Sequence, residues 1–294
     1  MLLRRTRCKE NDRPDMDCST KQRPIENHGV SFRDFRGCVM SDIGCAHEKN
    51  EDNFLFAGEI NETCSDRRTA SASEAGHPGK WYLAGVFDGI SRGGNAEAAS
   101  MESAKAFQVI APSLKQGQTK ENAERMIRDA FLNAGSAVNR LQRTGSLPGS
   151  TGTILCTDLK VFKVFHLGDS RAYLFRNCQL HQLTRDQTLA QLKLDAGLCD
   201  KQDPAMEADS HILTDYIGRS PNGYPVESRW IPVQENDVVL LCSDGLYDMC
   251  SDSEIEKILR EAHSAEKQTQ QMVDMALHKG GVDNITCIVI HFTK

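Results

Sequence analysis

The order of the hydrophobic patterns along this chain most constrains its fold. Short runs rich in apolar and β-branched residues predict strands. These runs are residues 53–57, 81–87, 153–157, 161–167, 171–175, 238–242 and 285–292. Residues 157–160 suit a tight turn between two of the runs, so we expect most strands to pair antiparallel.

Two pairs of predicted helices interrupt the strands. In residues 123–141, apolar side chains recur at the i, i+3, i+4, i+7 spacing, and the preceding helix begins near Asn95, a favourable N-cap. Residues 251–254 have the spacing of a capping box, and a last helix spans about 266–279. Because each helix has one apolar face, we predict an α+β fold. It is a four-layer α/β/β/α sandwich of two mainly antiparallel sheets flanked by helix pairs.

Two regions of the chain lack this periodicity. Residues 1–36 mix charged residues with Asn and Pro, which predicts a flexible N-terminal extension before one domain over residues 37–294. Residues 58–80 are polar and rich in Ser, Thr, Glu and Arg. We predict that this second segment is a mobile surface loop.

Charge and cysteine usage exclude some classes of protein. The net charge of -6 argues against a nucleic-acid binder, which usually has a basic surface. The 11 cysteines include no CxxC pair, which is typical of reduced structural thiols in a cytoplasmic protein. The N-terminus lacks the apolar core of a secretory signal, and no run reaches the roughly 18 apolar residues of a membrane span.

Four aspartates lie next to predicted strands that should be central in the sheets. Asp52 precedes the first run, Asp88 and Asp244 each follow one, and Asp283 comes just before the last. Strand ends can bring distant residues together, and carboxylates are preferred ligands of Mg²⁺ and Mn²⁺. An Asp-Gly pair after a strand is also a common turn, so the positions alone leave both interpretations open.

Six short motifs that follow one another in a fixed order give more specific information about function. They are Ser41-Asp42-Ile43-Gly44 with Asn50-Glu51-Asp52, Val86-Phe87-Asp88-Gly89, Gly149-Ser150-Thr151-Gly152-Thr153, Gly168-Asp169-Ser170-Arg171, Leu240-Leu241-Cys242-Ser243-Asp244-Gly245-Leu246 and Asp283-Asn284-Ile285-Thr286. In this order and spacing they resemble the metal-dependent serine/threonine protein phosphatase family, type 2C, from about residue 37 onward. Residues 186–218 carry no long insertion, which is similar to the bacterial branch.

The resemblance implies a binuclear metal centre. Asp88 resembles the carboxylate that bridges both ions, and Gly89 resembles the residue that lends one of them its carbonyl. Asp244 and Asp283 look like ligands of the other ion. Asp169 resembles the aspartate that holds a third, weaker ion together with Asp244.

The resemblance also implies the reaction. Glu51 and Asp52 look like catalytic acidic residues that orient metal-bound water, with Asp52 also counted among the metal-binding residues. Two ions, Mn²⁺ or Mg²⁺, would supply a bridging hydroxide that attacks the phosphorus of phosphoserine or phosphothreonine. The expected partner is a protein phosphorylated by a serine/threonine kinase, with no nucleic acid and no membrane.

Two positions depart from the pattern of the family. His47 stands where the family usually has an arginine that grips the substrate phosphate, and an imidazole offers fewer donors than a guanidinium. Residues 90–92, Ile-Ser-Arg, replace a segment that is commonly rich in glycine. We predict that Arg92 partly replaces the missing arginine, although it could equally be a solvated surface residue.

Three other functions fit parts of the sequence. The altered positions would also suit a catalytically weak or silent relative that binds phosphoproteins or a partner. The N-terminal extension or residues 58–80 could dock a partner, with phosphatase activity incidental. A nuclease or small-phosphoester hydrolase could use the same metals, but no basic groove is evident in the sequence.

Overall fold

The computed structural model describes residues 34–63, 66–75, 79–115, 117–200, 203–219 and 225–293. The strands are β1 (Asp34–Asp42), β2 (Asp52–Phe56), β3 (Glu59–Ile60), β4 (Arg67–Ala75), β5 (Tyr82–Arg92), β6 (Leu147–Ser150), β7 (Gly152–Thr157), β8 (Val161–Leu167), β9 (Arg171–Arg176), β10 (Gln179–Gln182), β11 (Val226–Glu227), β12 (Ile231–Pro232), β13 (Val238–Cys242) and β14 (Ile285–Thr293). The helices are α1 (Ala96–Leu114), α2 (Lys120–Arg140), α3 (Leu189–Asp195), α4 (Met206–Ser210), α5 (Asp244–Tyr247), α6 (Asp252–Glu261) and α7 (Ala265–His278).

The strands form two antiparallel sheets. The first has the order β10-β9-β13-β14-β1-β4, and the second has the order β11-β8-β7-β5-β2-β3, with β12 beside β8 and β6 beside β5. The central strands β5 and β14 pair on both sides. This topology brings chain segments that are far apart in sequence to neighbouring positions in each sheet.

Three apolar clusters hold the layers together. The first lies between the sheets and includes Phe54 and Val86 from one sheet and Val39 and Ile288 from the other. The second packs α1 and α2 on the outer face of the second sheet. The third packs α6 and α7 on the outer face of the first sheet. The order helix, sheet, sheet, helix confirms the predicted four-layer α/β/β/α sandwich.

One local prediction was wrong. The loop predicted over residues 58–80 contains β3 and the nine-residue strand β4, which pairs with β1 along its full length. β1 begins at Asp34, three residues before the domain start expected at residue 37, and residues 1–33 of the expected extension lie outside the described residues. Asn95 is the N-cap residue of α1, as predicted, but it has a left-handed conformation with φ 76°, and its side chain makes no capping hydrogen bond.

Other helix signals are confirmed. Ser251 and Glu254 form the predicted capping box at the start of α6.

Among the helices of the described residues, none combines the length and the hydrophobicity needed to cross a bilayer.

Candidate metal centre

Strands β2 and β5 place two of the predicted aspartates side by side. Asp52 and Asp88 are cross-strand partners in the register of the two strands. The backbone N–H of Asp88 donates to Thr151 Oγ1 at 2.9 Å, and its carbonyl accepts from the Thr151 N–H at 2.8 Å. Asp88 was expected at the end of a strand, but β5 continues through it to Arg92 and pairs there with β6.

The other sheet contributes the next two carboxylates. Asp244 lies two residues after the end of β13, and Asp283 lies two residues before β14, the neighbouring strand. Close backbone packing fixes their separation, because a Cβ added at Gly245 would lie 2.1 Å from the carbonyl oxygen of Asn284. A side chain at position 245 would therefore force these two segments apart.

Asn284, next to Asp283, connects the start of β14 to the loop between β1 and β2. Its side-chain NH₂ donates to the carbonyls of Ile43 (2.8 Å) and Lys49 (3.1 Å). Its side-chain oxygen accepts from the N–H of Glu51 at 2.7 Å. The amide thereby holds Glu51 close to Asp283, although more than 200 residues separate them in the chain.

Gly89 lies where β5 passes under α1. A Cβ at this position would lie 2.2 Å from the carbonyl oxygen of Ala96 and 2.7 Å from that of Glu51. The Gly89 N–H donates to the same Glu51 carbonyl at 3.2 Å. Only glycine fits here, and its backbone is consequently held at the wall of the pocket described next.

These elements enclose a cavity of about 190 Å³, which we call the carboxylate pocket. Its lining residues are His47, Glu51, Asp88, Gly89, Ile90, Asp169, His211, Leu213, Asp244, Asp283 and Asn284. The pocket thus brings together every metal and catalytic residue predicted from the sequence except Asp52. Arg92 ends β5, but its side chain is outside the part of the chain that the structure describes.

Asp52 lies beneath the pocket rather than on its wall. The residue is 1% exposed, and its Oδ2 accepts a hydrogen bond from the Ser243 hydroxyl at 2.7 Å. The Ser243 oxygen in turn accepts from the backbone N–H of Thr286 at 3.0 Å. This chain of hydrogen bonds fixes the Asp52 carboxylate behind the residues that face the cavity.

Burial of several neighbouring carboxylates dominates the electrostatics of the pocket. Burial raises the pKa of Asp52 to about 8, and hydrogen bonds from Ser243 and Thr286 oppose that rise. Burial, followed by the charge of Asp244, raises the pKa of Asp88 well above its usual range. Burial, followed by Asp169, does the same to Asp244. Such a cluster is unfavourable when ionised unless cations compensate its charge.

Two features show that divalent cations fit this pocket. The donors are carboxylate and carbonyl oxygens, which suit Mg²⁺ and Mn²⁺. In addition, Asp244 Oδ1 is buried and has no hydrogen-bond partner among the described residues. A buried carboxylate oxygen without a donor is rare in folded proteins, and a cation would satisfy it.

Sequence reasoning missed several residues at the opening of the pocket. We call residues 186–218, which follow β10, the rim segment; all but 201–202 are described. It places His211 and Leu213 on the pocket wall. His211, Asp244 and Asp248 offer ligand atoms within 4.8 Å of one another. A lone histidine in an irregular segment carries no spacing signal, so no pattern of residues could have identified it.

His47 makes a contact that the sequence did not indicate. Its Nε2 lies 3.2 Å from Oδ1 of Asp283. The side chain is 36% exposed, so this contact leaves part of the imidazole open to solvent. The histidine therefore sits beside a predicted metal ligand, in the position where a phosphate-binding arginine was expected.

Known proteins resemble this chain in both sequence and fold. The sequence model of the family "Protein phosphatase 2C" matches residues 50–193. The serine/threonine phosphatase stp of Listeria welshimeri is 35% identical over 127 residues, which is 43% of this chain and 50% of that protein. The serine/threonine protein phosphatase PstP of Mycobacterium tuberculosis is 38% identical over 126 residues, or 42% of this chain and 24% of that protein. The aligned part of this chain thus spans half or less of these relatives.

Solved structures agree on the fold. The catalytic domain of PstP in complex with 2 manganese ions aligns with a TM-score of 0.70 and 24% identity, covering 89% of this chain and 99% of that one. The phosphatase Stp1 of Staphylococcus aureus aligns with a TM-score of 0.72 and 20% identity, covering 88% and 95%. The family match and these bacterial relatives place residues 50–193 of this chain in the protein phosphatase 2C family.

Proposed function

We propose that this protein hydrolyses phosphoserine and phosphothreonine in other proteins, with two divalent cations, Mn²⁺ or Mg²⁺, held in the carboxylate pocket. One observation carries the proposal: carboxylates from four distant parts of the chain, Asp88, Asp169, Asp244 and Asp283, line one cavity. The matched relatives, which are named serine/threonine phosphatases, support the same chemistry.

We assign the pocket residues to two roles, metal ligands and groups that orient water. Asp88 and the carbonyl of Gly89 would hold one ion, with Asp88 shared by the second ion, which Asp244 and Asp283 complete. Asp169 would join Asp244 in holding a third. When bound, such ions polarise phosphoryl oxygens and make a water molecule acidic near neutral pH.

Glu51 and Asp52 would fix the positions and protons of water in this pocket. Glu51 lines the cavity, and burial raises the pKa of its carboxyl group. Asp52 stands behind it and is held by Ser243. Oriented acceptors of this kind lower the cost of arranging the nucleophile in line with the departing serine or threonine oxygen.

The substrate side of the proposal follows from the pocket's position. Exposed residues such as His47 and His211 line the cavity, so a phosphorylated side chain on a protein surface could enter it. We propose a cytoplasmic phosphoprotein, modified by a serine/threonine kinase, as the partner. Residues 37–294 would form the phosphatase domain, and residues 1–36 would be an extension to it.

A direct test uses a phosphothreonine peptide with and without Mn²⁺. The wild type is expected to release phosphate only with the metal, and Asp244→Ala is expected to lose this activity. Asp129→Ala is a matched control, since Asp129 is an exposed aspartate on α2. Turnover without metal that survives Asp244→Ala would contradict the proposal.

One observation favours a second candidate, a catalytically weak relative that binds phosphoproteins. His47 contacts Asp283 where a guanidinium was expected, which offers the substrate phosphate less positive charge. Hydrolysis of p-nitrophenyl phosphate with Mn²⁺ separates the two candidates. Turnover of His47→Arg that exceeds a measurable wild-type rate supports the enzyme, whereas no turnover by either protein supports the binding function.

A further inference from the structure

The edge of the carboxylate pocket carries a histidine that the proposed reaction does not use. His211, Asp244 and Asp248 present one ligand atom each, and these atoms all lie within 4.8 Å of one another. The upper limit on this separation is close to the roughly 4.4 Å that can at most separate two ligands of one ion whose bonds are about 2.0–2.2 Å long. His211 and Asp248 are exposed, so an ion could reach the group from solvent.

Local structure holds two of the three groups in place. Asp244 begins α5 and Asp248 directly follows it, with the Asp248 N–H donating to the Asp244 carbonyl at 2.9 Å. Residues four apart in a helical turn face the same side, so both carboxylates point toward one region. The buried Oδ1 of Asp244 has no hydrogen-bond partner among the described residues, which leaves one oxygen of the pair available for a ligand.

The rim segment holds the third group. His211 directly follows α4, and the next residue, Ile212, is fixed by two backbone hydrogen bonds: its N–H donates to the Asp209 carbonyl at 3.2 Å, and its carbonyl accepts from the Leu189 N–H at 2.8 Å. Lys193 on α3 forms an ion pair with Asp209. The position of His211 is therefore set by the rim segment itself.

We propose that His211 supplies a nitrogen ligand to a divalent cation that it holds together with Asp244 and Asp248. The inference rests on the proposed function, because Asp244 belongs to the metal centre, but it adds a ligand from the rim segment. An ion bound in this way would tie the rim segment to α5 across the opening of the pocket. Metal occupancy would then control how firmly the substrate entrance is closed.

The chemistry of the donors predicts a selectivity. Imidazole nitrogen suits Zn²⁺, Fe²⁺ and Ni²⁺ best, and Mn²⁺, although it also favours oxygen, is a softer ion that accepts imidazole more readily than Mg²⁺ does. His211 should accordingly favour Mn²⁺ over Mg²⁺ at this position. Loss of a direct ligand should weaken Mn²⁺ binding there by at least about tenfold, since the loss of a group that only supports a ligand already costs that much.

The first measurement counts bound Mn²⁺ by the electron paramagnetic resonance signal of the free ion, in the full-length protein. His211→Ala is expected to bind one equivalent less than the wild type, and Asp248→Asn is expected to lose the same equivalent. His181→Ala, an exposed histidine on β10, is the matched control and should bind as the wild type does. Equal counts in the wild type and His211→Ala would overturn the inference and leave the proposed function standing.

A second measurement identifies the ligand. Pulsed electron paramagnetic resonance of bound Mn²⁺ should show coupling to an imidazole nitrogen that disappears in His211→Ala. The variant His211→Asp should again bind the Mn²⁺ ion that His211→Ala loses, but without the coupling to nitrogen. Its preference for Mn²⁺ over Mg²⁺ at this position should be smaller than that of the wild type. Coupling that persists in His211→Ala would assign it to another imidazole and contradict the inference. A wild type that binds fewer than the two ions of a binuclear centre would contradict the proposed function as well.

Discussion

The floor and the rim of the carboxylate pocket are built in different ways. The floor consists of long, buried, hydrogen-bonded strands, in which Asp52 and Asp88 occupy paired positions of β2 and β5. In its described residues, the rim segment has only the short helices α3 and α4, of seven and five residues, and it exposes large apolar side chains such as Leu198. The carboxylates of the floor are therefore positioned by the sheets, whereas the position of the rim segment depends on a few local contacts.

The comparison predicts that changes in the floor affect catalysis most. Asp88→Asn should lower phosphatase activity by at least about a thousandfold, because several kcal/mol of transition-state stabilisation depend on the ions. The same variant should unfold at a higher temperature than the wild type without metal, because a buried carboxylate in a crowded cluster becomes neutral. Activity assays and thermal unfolding with a chelator check both effects.

Asp129 is an exposed aspartate on α2, and the variant Asp129→Asn serves as the control for Asp88→Asn. It should change neither activity nor metal-free stability. A metal-free Asp88→Asn protein that is less stable than the wild type would show that the carboxylates do not repel one another as described.

A change behind the floor should have the next largest effect. Ser243→Ala removes the hydroxyl that donates to Asp52 and accepts from the Thr286 N–H. Metal affinity should fall about 10- to 100-fold, as expected for a group that orients an acidic residue near a metal. Isothermal titration with Mn²⁺ measures the loss, and Ser136→Ala on the exposed side of α2 is the control. Unchanged affinity would show that the position of Asp52 does not depend on Ser243.

The floor should also determine how stability depends on pH. Burial raises the pKa of Asp52 to about 8 and that of Asp169 to about 7, whereas both titrate near 3.9 when unfolded. Between these values the folded state keeps protons that the unfolded state has lost. Without metal, the free energy of unfolding should therefore fall as pH rises from about 4 to about 8.

Denaturant unfolding at a series of pH values, with a chelator, measures this decline. Mn²⁺ compensates the carboxylate charge in place of protons, so the decline should flatten in its presence. Asp52→Asn should also flatten it without metal. A metal-free stability that increases over this pH range would reverse the sign and contradict the electrostatic account.

The smallest effect is expected at the rim. Lys193→Gln breaks an ion pair between Lys193, which is 36% exposed, and Asp209, which is 13% exposed. Because the lysine end of the pair is open to solvent, its contribution to stability should be modest. The kcat should stay within about twofold of the wild type, while KM for a phosphopeptide rises as the entrance loosens. Lys105→Gln, which breaks an ion pair with Glu102 on α1, is the control. A large fall in kcat for Lys193→Gln would show that the rim segment takes part in the catalytic step, which would contradict this prediction.

Most of the fold could be predicted because its central strands are strongly apolar. The run ending at Phe87 identifies β5, and the carboxylate that follows it already suggests a functional position. By contrast, β4 reads Arg-Arg-Thr-Ala-Ser-Ala-Ser-Glu-Ala and has few apolar side chains. It lies at the edge of its sheet and pairs through its backbone with β1, which side-chain patterns do not reveal.

The candidate site divides in the same way. The strand-linked acids Asp88, Asp244 and Asp283 carry family motifs, and the structure brings them to one pocket. His211 and Asp248 join that neighbourhood only through the tertiary arrangement of the rim segment and α5. No periodicity or motif in the sequence expresses that arrangement, so only coordinates could reveal it.

The most direct test is a crystal structure of this protein soaked in MnCl₂, with anomalous scattering recorded at the manganese edge. The account predicts anomalous peaks within bonding distance of the carboxylates of Asp88, Asp244 and Asp283, at about 2.0–2.2 Å. Crystals that show those three side chains turned apart, with no anomalous peak between them, would contradict it.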